Sequence, residues 1–247
     1  MAAVVAQIRQ LIATHRLPPG FFVSLEGTFQ AQEEAARLIA LLSVLQGHAN
    51  ERGDLLAHVL PDRDITYRRL WSRTERASAR LQGEWGVQAG DTVAYIGNGH
   101  PDAIVLYFAL LRIGASLLPL EVMTAAEARA TFRQHDATLA VHDDEVAIDG
   151  LPSQRLEMLL DDWCHFEPVL VPEDPMRKAL WLPVDGGGRE AISLYQLTAA
   201  LPDVPRPGWV TDRIFTPDIL GRLVLPALHD ARRLFFAATE PQQRTGS

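Results

Sequence analysis

Three short stretches of this 247-residue chain bring together side chains that do chemistry in other proteins. Cys164-His165 sets a thiol beside an imidazole, but a nucleophile needs its base across a pocket, which sequence neighbours seldom achieve. His142-Asp143-Asp144-Glu145 offers four metal-ligand types in one turn, where a charged cluster is normally solvated. Asp185-Gly186-Gly187-Gly188-Arg189 joins a backbone able to curl around an anion to a guanidinium. Only this last stretch is kept as a candidate site, for binding an anion; no catalytic residue and no metal ligand is assigned.

The same three glycines are also typical of a flexible hairpin turn, because β-rich runs precede and follow them. The preceding run is Ala179 to Leu182, and Ile192 to Leu194 is its predicted hairpin partner. The sequence leaves both interpretations open.

Composition excludes several classes of function. The chain has 23 Lys and Arg against 31 Asp and Glu, a net charge of −8. Because phosphate backbones and anionic lipid demand a basic surface, we expect neither nucleic-acid binding nor membrane attachment. A single cysteine, Cys164, cannot form an internal disulfide, and no signal peptide or membrane-spanning run is predicted. We expect a cytoplasmic protein without membrane insertion.

Strand and helix signals alternate from Ile65 to His142 and predict the element order β-α-β-α-β. Each helix has identifiable start or stop chemistry, such as the N-cap Thr66, the C′ residue Gly114 and a capping box between Thr124 and Glu127. Strands joined by helices of this length pair in parallel through right-handed crossovers. We therefore predict an α/β fold with a doubly wound, largely parallel sheet layered by helices.

The flanking regions are predicted to differ from this domain. Helical periodicity in Met1 to Leu17 and in Gln30 to Leu45 predicts a helical extension over residues 1–50. Residues 51–240 form the α/β domain, and residues 241–247 a disordered tail. Beyond Asp143 the predicted elements, in addition to the hairpin, are a helix from Gln154 to Trp163, a helix from Gln196 to Leu201, a Pro-rich loop from Pro202 to Gly208, a helix capped at Thr216-Pro217 and a strand from Leu234 to Phe236.

A set of turn and strand residues carries a resemblance to a known family. They are Ile65-Thr66-Tyr67, Gly86-Val87, Gly90-Asp91-Thr92-Val93-Ala94, Asn98, Pro101-Asp102 and Gly114-Ala115-Ser116-Leu117-Leu118-Pro119-Leu120. In this order and spacing they resemble the opening of the AMP-forming adenylate synthetases, which include acyl- and aryl-CoA ligases, luciferases and peptide-synthetase adenylation domains. The resemblance runs from about Leu55 to Val141 and more faintly to Phe236. It implies the fold of the N-terminal subdomains of acyl-CoA synthetases, and ATP with Mg²⁺ and a small carboxylate as the ligands of an active member.

The chain departs from that family in its phosphate loop. The family loop is rich in hydroxyl groups and ends in Pro-Lys-Gly, whereas the aligned stretch here, Leu182 to Ala191, has lost the hydroxyls and carries Glu190 in place of the lysine. Because Asp185 and Glu190 repel a nearby anion, ATP and Mg²⁺ are expected only if nucleotide binding has survived. The adenine-closing segment, the ribose-binding Asp and the C-terminal catalytic lysine of the family also have no counterpart, and the chain is interpreted as a truncated N-terminal half.

Two functional hypotheses of different classes follow from this resemblance. The first is a synthetase-like domain that is catalytically inactive alone and acts as a binding or regulatory subunit. The alternative is one half of a split acid-CoA ligase or adenylating enzyme, completed by a partner chain. Both predict a protein partner or self-association. A remnant without selected activity and a complete stand-alone ligase rank below them.

Overall fold

The computed structural model describes residues 41–97, 99–120, 124–143, 150–160, 164–184, 188–199, 209–210 and 214–236. The helices are α1 (Leu41–Glu51), α2 (Tyr67–Gly83), α3 (Ala103–Ile113), α4 (Ala125–Gln134), a 3₁₀ helix (Leu156–Leu160), α5 (Leu194–Ala199), a π-helix (Pro217–Val224) and α6 (Leu225–His229). The strands are β1 (Leu56–Val59), β2 (Asp64–Thr66), β3 (Thr92–Ile96), β4 (Ser116–Leu120), β5 (Leu139–His142), β6 (Ser153–Arg155), β7 (Lys178–Pro183), β8 (Arg189–Ser193), β9 (Trp209–Val210) and β10 (Leu234–Phe236).

The predicted parallel sheet lies at the centre of the described residues. Within them, six strands pair in the order β6-β5-β3-β4-β7-β8, and every neighbour is parallel except β7 and β8. Alternate residues of β3 face opposite sides, since Val93 belongs to the hydrophobic cluster that contains α3 and Ala94 to the cluster that contains Phe132 of α4. The sheet is therefore covered by helices on both faces, which confirms the predicted α/β fold class.

The described residues form a second, smaller sheet, and the sequence predicts only one of its strands. Among the described residues it has the order β2-β1-β10-β9, in which β10 runs parallel to β1 and to β9. The predicted strand Leu234 to Phe236 is confirmed as β10. The strands β1 and β9 are too short to show a two-residue periodicity, and they are fixed by pairing with β10.

Helix boundaries follow the predicted capping chemistry. The Thr66 side chain accepts a hydrogen bond from the Arg69 amide at 3.3 Å, and Thr124 and Glu127 form the reciprocal capping box. Gly114 ends α3 in the left-handed conformation with φ of 78°. The helix predicted after Thr216 is also confirmed, although its hydrogen bonding is of the π type.

In its described part, residues 154–160, the helix predicted from Gln154 to Trp163 is wrong in type. Ser153–Arg155 is a strand that pairs in parallel with β5, and only Leu156–Leu160 forms a helical turn, of the 3₁₀ kind. Leu156 and Leu159 are both buried, and their three-residue spacing fits a 3₁₀ turn. The predicted helix from Gln196 is confirmed but starts earlier, at Leu194, because the Ser193 hydroxyl accepts a hydrogen bond from the Gln196 amide.

The first helix of the described residues overlaps the predicted helix Gln30 to Leu45 but continues to Glu51. Its buried residues Leu41, Leu42, Leu45 and Ala49 belong to the main hydrophobic cluster. The helix predicted over residues 1–17, the Pro-rich loop and the predicted tail lie outside the described residues. The division into residues 1–50, 51–240 and 241–247 stays a prediction. In the part of the chain that is described, no helix is both long and apolar enough to cross a membrane.

Candidate functional site

The predicted phosphate loop is the turn between β7 and β8. The two strands are antiparallel, with Pro183 opposite Arg189 and Leu182 opposite Glu190. The Val184 amide donates a hydrogen bond to the Gly188 carbonyl at 3.0 Å and closes the turn. Of the predicted binding residues, Gly188 and Arg189 are placed on this hairpin, whereas Asp185, Gly186 and Gly187 lie outside the described residues. The hairpin partner predicted at Ile192 is confirmed, within a longer strand.

The two charges that follow this turn face different surroundings. Glu190 is exposed to solvent and Arg189 is half-buried. Burial, followed by the charge of Arg189, lowers the pKa of His135 at the end of α4. The His135 ring packs edge-on against Trp181 of β7 with centroids 4.7 Å apart, and the Trp181 indole donates a hydrogen bond to the Ser116 hydroxyl at 3.3 Å. Arg189 therefore lies close enough to His135 for its charge to affect the pKa of that ring.

A cavity lies at the carboxyl end of the parallel sheet, where β3 and β5 end and α3 begins. Its volume is about 280 Å³, and it is lined by Arg63, Arg73, His100, Asp102, Asp143, Leu156, Glu157 and Leu160. Open α/β sheets commonly bind ligands outside the carboxyl ends of their strands. The position is therefore that of a binding crevice, and the side chains decide what it can do.

Asp102 is the centre of the polar network in this cavity. Its carboxylate is 4% exposed and accepts hydrogen bonds from Arg73 at 2.9 Å and from Arg63 at 2.7 Å. Burial lowers the pKa of the Arg73 guanidinium, and the charge of Asp102 acts in the opposite direction. Asp102 also lies at the start of α3, where the helix dipole favours a negative charge. The two arginines are thus held by an internal carboxylate.

Tyr95 joins the two loops that flank the cavity. Its hydroxyl donates to the Asp143 carboxylate, with oxygen distances of 3.0 and 3.1 Å, and accepts a hydrogen bond from the His100 amide at 2.9 Å. Burial and the nearby Asp143 raise the pKa of Tyr95. A side chain at Gly97 would collide with the Asp143 carboxylate and the Tyr95 hydroxyl and would force that contact to shift. These contacts hold the loops after β3 and β5 together.

The lining residues form an organised polar cluster without an apparent nucleophile. No Ser, Thr, Cys or Lys lines the cavity in the described residues. His100 Nδ1 accepts a hydrogen bond from the Asp102 amide at 3.2 Å, which places the proton of the neutral ring on Nε2. The contacts of the described lining residues hold the loops in position at the sheet edge.

The other stretches with reactive side chains do not form sites in the described residues. His142 is buried and its Nδ1 is 2.9 Å from the Asp143 carbonyl oxygen, while Asp144 and Glu145 lie outside the described part. No group of three His, Cys, Asp or Glu residues there is arranged to hold a metal ion. Cys164 is half-buried and His165 is exposed, at the start of an extended segment.

Sequence reasoning missed most of the cavity. The sequence identifies Asp102 only as part of the Pro101-Asp102 pair in the family resemblance, and the partners of its carboxylate, Arg63 and Arg73, come from separate elements. One signal was present, because Arg73 lies three positions after the buried Leu70 and so on the apolar face of α2. An arginine on such a face indicates a buried carboxylate partner.

Comparison with known families and proteins is consistent with the fold and the β7–β8 hairpin. The profile of the family described as AMP-binding enzyme matches residues 45–192. The phosphinothricin tripeptide synthetase PhsC of Streptomyces viridochromogenes is 35% identical over 123 residues, which are 49% of this chain and 11% of PhsC. The D-alanine--D-alanyl carrier protein ligase of Bacillus licheniformis is 31% identical over 87 residues, or 35% of this chain and 17% of the ligase.

Solved structures show the same fold at lower sequence identity. The N-terminal subdomain of Klebsiella oxytoca NpsA, in complex with 3-hydroxybenzoyl-AMSN, superimposes with a TM-score of 0.65 at 19% identity, over 82% of this chain and 54% of that one. The o-succinylbenzoate CoA synthetase MenE of Bacillus subtilis, in complex with ATP and Mg²⁺, gives a TM-score of 0.67 at 12% identity, over 81% and 58%. The chain therefore spans less than two thirds of the length of these relatives and structures.

Proposed function

Because this chain belongs to the family of AMP-binding enzymes, contributing an N-terminal part of the adenylate-forming domain, we propose that its 247 residues do not activate a carboxylic acid on their own. In this proposal the chain acts as a binding or regulatory subunit. The observation that carries it is Glu190, an exposed carboxylate on β8 two residues after Gly188. The resemblance implies a lysine at this position of the family loop.

The charge change at this position opposes phosphate binding. Each unit charge about 4 Å from a phosphate contributes about 1 kcal/mol in bulk water and about 4 kcal/mol near a protein surface. Replacing a lysine by a glutamate reverses the sign of that contribution, and Asp185 adds a second carboxylate. The turn, as far as it is described, is closed by a backbone hydrogen bond between Val184 and Gly188 and offers no hydroxyl group. These residues do not fit the triphosphate of ATP with its Mg²⁺.

The cavity at the sheet edge supports the same interpretation. Its two arginines, which would otherwise be the natural ligands for an anionic group, are both hydrogen bonded to Asp102.

A reducing cytoplasm is the location we propose, since a chain with one cysteine needs no oxidising compartment.

The alternative function is one half of a split AMP-forming acid-thiol ligase. It is favoured by relatives such as PhsC, of which the matching residues make up only 11%, and NpsA has been artificially fused to a carrier-protein domain in another similar structure. A partner chain would then supply the adenine-closing segment and the catalytic lysine, and a small carboxylate would be the substrate.

Pyrophosphate release tests the proposal. The purified chain is incubated with Mg²⁺, ATP and aliphatic, aromatic and amino carboxylic acids, and acid-dependent pyrophosphate is measured. We expect none above the acid-free blank, and release from the chain alone would refute the proposal. Native mass measurement of the tagged chain from its own cell separates the alternative. A stoichiometric partner that restores pyrophosphate release when added would favour the split ligase.

A further inference from the structure

An extended segment on the outer surface carries several exposed apolar side chains. We call residues 164–173 the apolar strap, and within it Phe166, Val169 and Leu170 are 44%, 72% and 50% exposed. Single exposed apolar residues are normal on a protein surface, but three within five positions form a patch that typically marks a contact.

The backbone of the apolar strap is fixed to the helices beneath it. The Val169 amide donates to the side-chain oxygen of Gln82 at 2.8 Å, and the Gln82 side-chain amide donates to the Val169 carbonyl at 3.2 Å. The Val171 amide donates to the Arg112 carbonyl at the end of α3 at 3.0 Å. Phe166 lies against Gly83 of α2 with part of its ring exposed, whereas Val169 and Leu170 are the more exposed side chains on this held backbone.

The apolar strap ends where α1 begins. The Glu173 carboxylate accepts hydrogen bonds from the Leu42 amide at 2.7 Å and from the Ser43 hydroxyl at 2.8 Å. Three residues of extended chain span about 10 Å, so Leu170 lies within about that distance of Glu173. The start of α1 therefore lies beside the end of the apolar strap.

Residues 1–17 are similar to the apolar strap in length and apolar character and opposite to it in charge. Their apolar positions Val4, Val5, Ile8, Leu11 and Ile12 have helical spacing. A helix rises about 12 Å from Val4 to Ile12, and the extended chain from Phe166 to Leu170 covers about 13 Å. Residues 1–17 contain two arginines and no acidic residue, whereas the apolar strap contains two glutamates and no Lys or Arg.

We propose that residues 1–17 pack as an amphipathic helix on the apolar strap of the same chain. The apolar stripe covers Phe166, Val169 and Leu170, and the arginines lie over the acidic side chains of the strap. Residues 18–40 are long enough to connect the two in any arrangement that keeps α1 in place. This intramolecular cover is independent of the nucleotide chemistry of the β7–β8 hairpin.

Limited trypsin digestion tests this contact, because Arg9 and Arg16 are cleavage sites inside the covering segment. The double variant Val169→Ser/Leu170→Ser removes the apolar side chains without changing charge. Its matched control is Val184→Ser, which replaces a side chain that is 43% exposed beside the β7–β8 turn. Intact-mass spectra measure the initial rate of cleavage after Arg9, and circular dichroism verifies that each variant is folded.

We expect cleavage after Arg9 to be about tenfold faster in the double variant than in the wild type, since the covering segment is released when its apolar contact is removed. The control should cleave at the wild-type rate. Equal rates in wild type and double variant overturn the proposal. It is also overturned if the wild type is a dimer that the double variant dissociates with no change in Arg9 cleavage, because a second copy then covers the strap.

Discussion

Replacing Asp102 by asparagine should be among the most destabilising single changes in the domain. The substitution keeps the size of the side chain and removes its charge. Arg73, whose side chain is 10% exposed, then remains buried without a counter-charge, which costs about 3–4 kcal/mol of the free energy of unfolding. Arg63 is 34% exposed and adds at most about 0.5 kcal/mol, because solvent screens its charge. For a chain of this size the melting temperature falls by roughly 6–16 °C.

Urea unfolding followed by circular dichroism measures this loss. The matched control is Asp62→Asn, which removes a 65% exposed partner of Arg63 and should change stability by less than about 0.5 kcal/mol. The double variant Asp102→Asn/Arg73→Met should recover part of the loss, because it removes the unpaired charge as well. An Asp102→Asn protein within about 1 kcal/mol of the wild type would refute the reasoning that Arg73 depends on this carboxylate.

Three further substitutions have expected effects that follow from the structure. Burial and the charge of Arg73 lower the pKa of His58 from 6.5 to about 3. Between these two pH values the unfolded chain binds a proton at His58 that the folded chain does not. The free energy of unfolding therefore falls by about 1.4 kcal/mol from pH 7.5 to 5.5. The variant His58→Leu should lose that part of the pH dependence in urea titrations, and an unchanged dependence would contradict the assignment. Gly114→Ala should lower the free energy of unfolding by about 1–2 kcal/mol because φ is 78° and the new Cβ meets Val171 at 3.0 Å. Gly47 lies inside α1 with no atom within 4 Å of a new Cβ, so Gly47→Ala should instead raise the free energy of unfolding by up to about 1 kcal/mol. Thermal scans in which Gly114→Ala and Gly47→Ala shift stability in the same direction would contradict this reasoning.

Much of the fold was predictable because its signals are local. The cap at Thr66, the left-handed Gly114 and the capping box at Thr124 each involve residues within one turn of the chain, so spacing alone identifies them. The three strands from Thr92 to His142 were predicted for the same reason, since glycine turns or helix caps border each of them.

The errors arose where distant residues decide the structure. Leu156 and Leu159 have helical spacing, but Ser153–Arg155 before them becomes a strand because β5 offers an open edge for pairing. Likewise, β1 is fixed by β10, which follows it by well over a hundred residues. No local pattern contains that information.

The candidate site was likewise predicted where its signals are local and missed where distant residues meet. The β7–β8 hairpin was predicted from a glycine turn between two short β-rich runs, and Gly188 and Arg189 lie on it. The cavity was not, because its central contact joins Asp102 to Arg73, 29 positions apart on different helices. Sequence indicates that a buried arginine needs a carboxylate but does not say which one.

Direct titration of the purified chain with Mg²⁺ and ATP tests the central claim most directly. Isothermal calorimetry should detect no saturable binding up to about 1 mM nucleotide. The variant Glu190→Lys, which introduces the lysine of the family loop, should bind ATP more tightly than the wild type does. The control variant Glu51→Lys makes the same charge change at the exposed end of α1 and should bind ATP no more tightly than the wild type. Micromolar binding of ATP by the wild type, weakened by Arg189→Ala, would contradict the account.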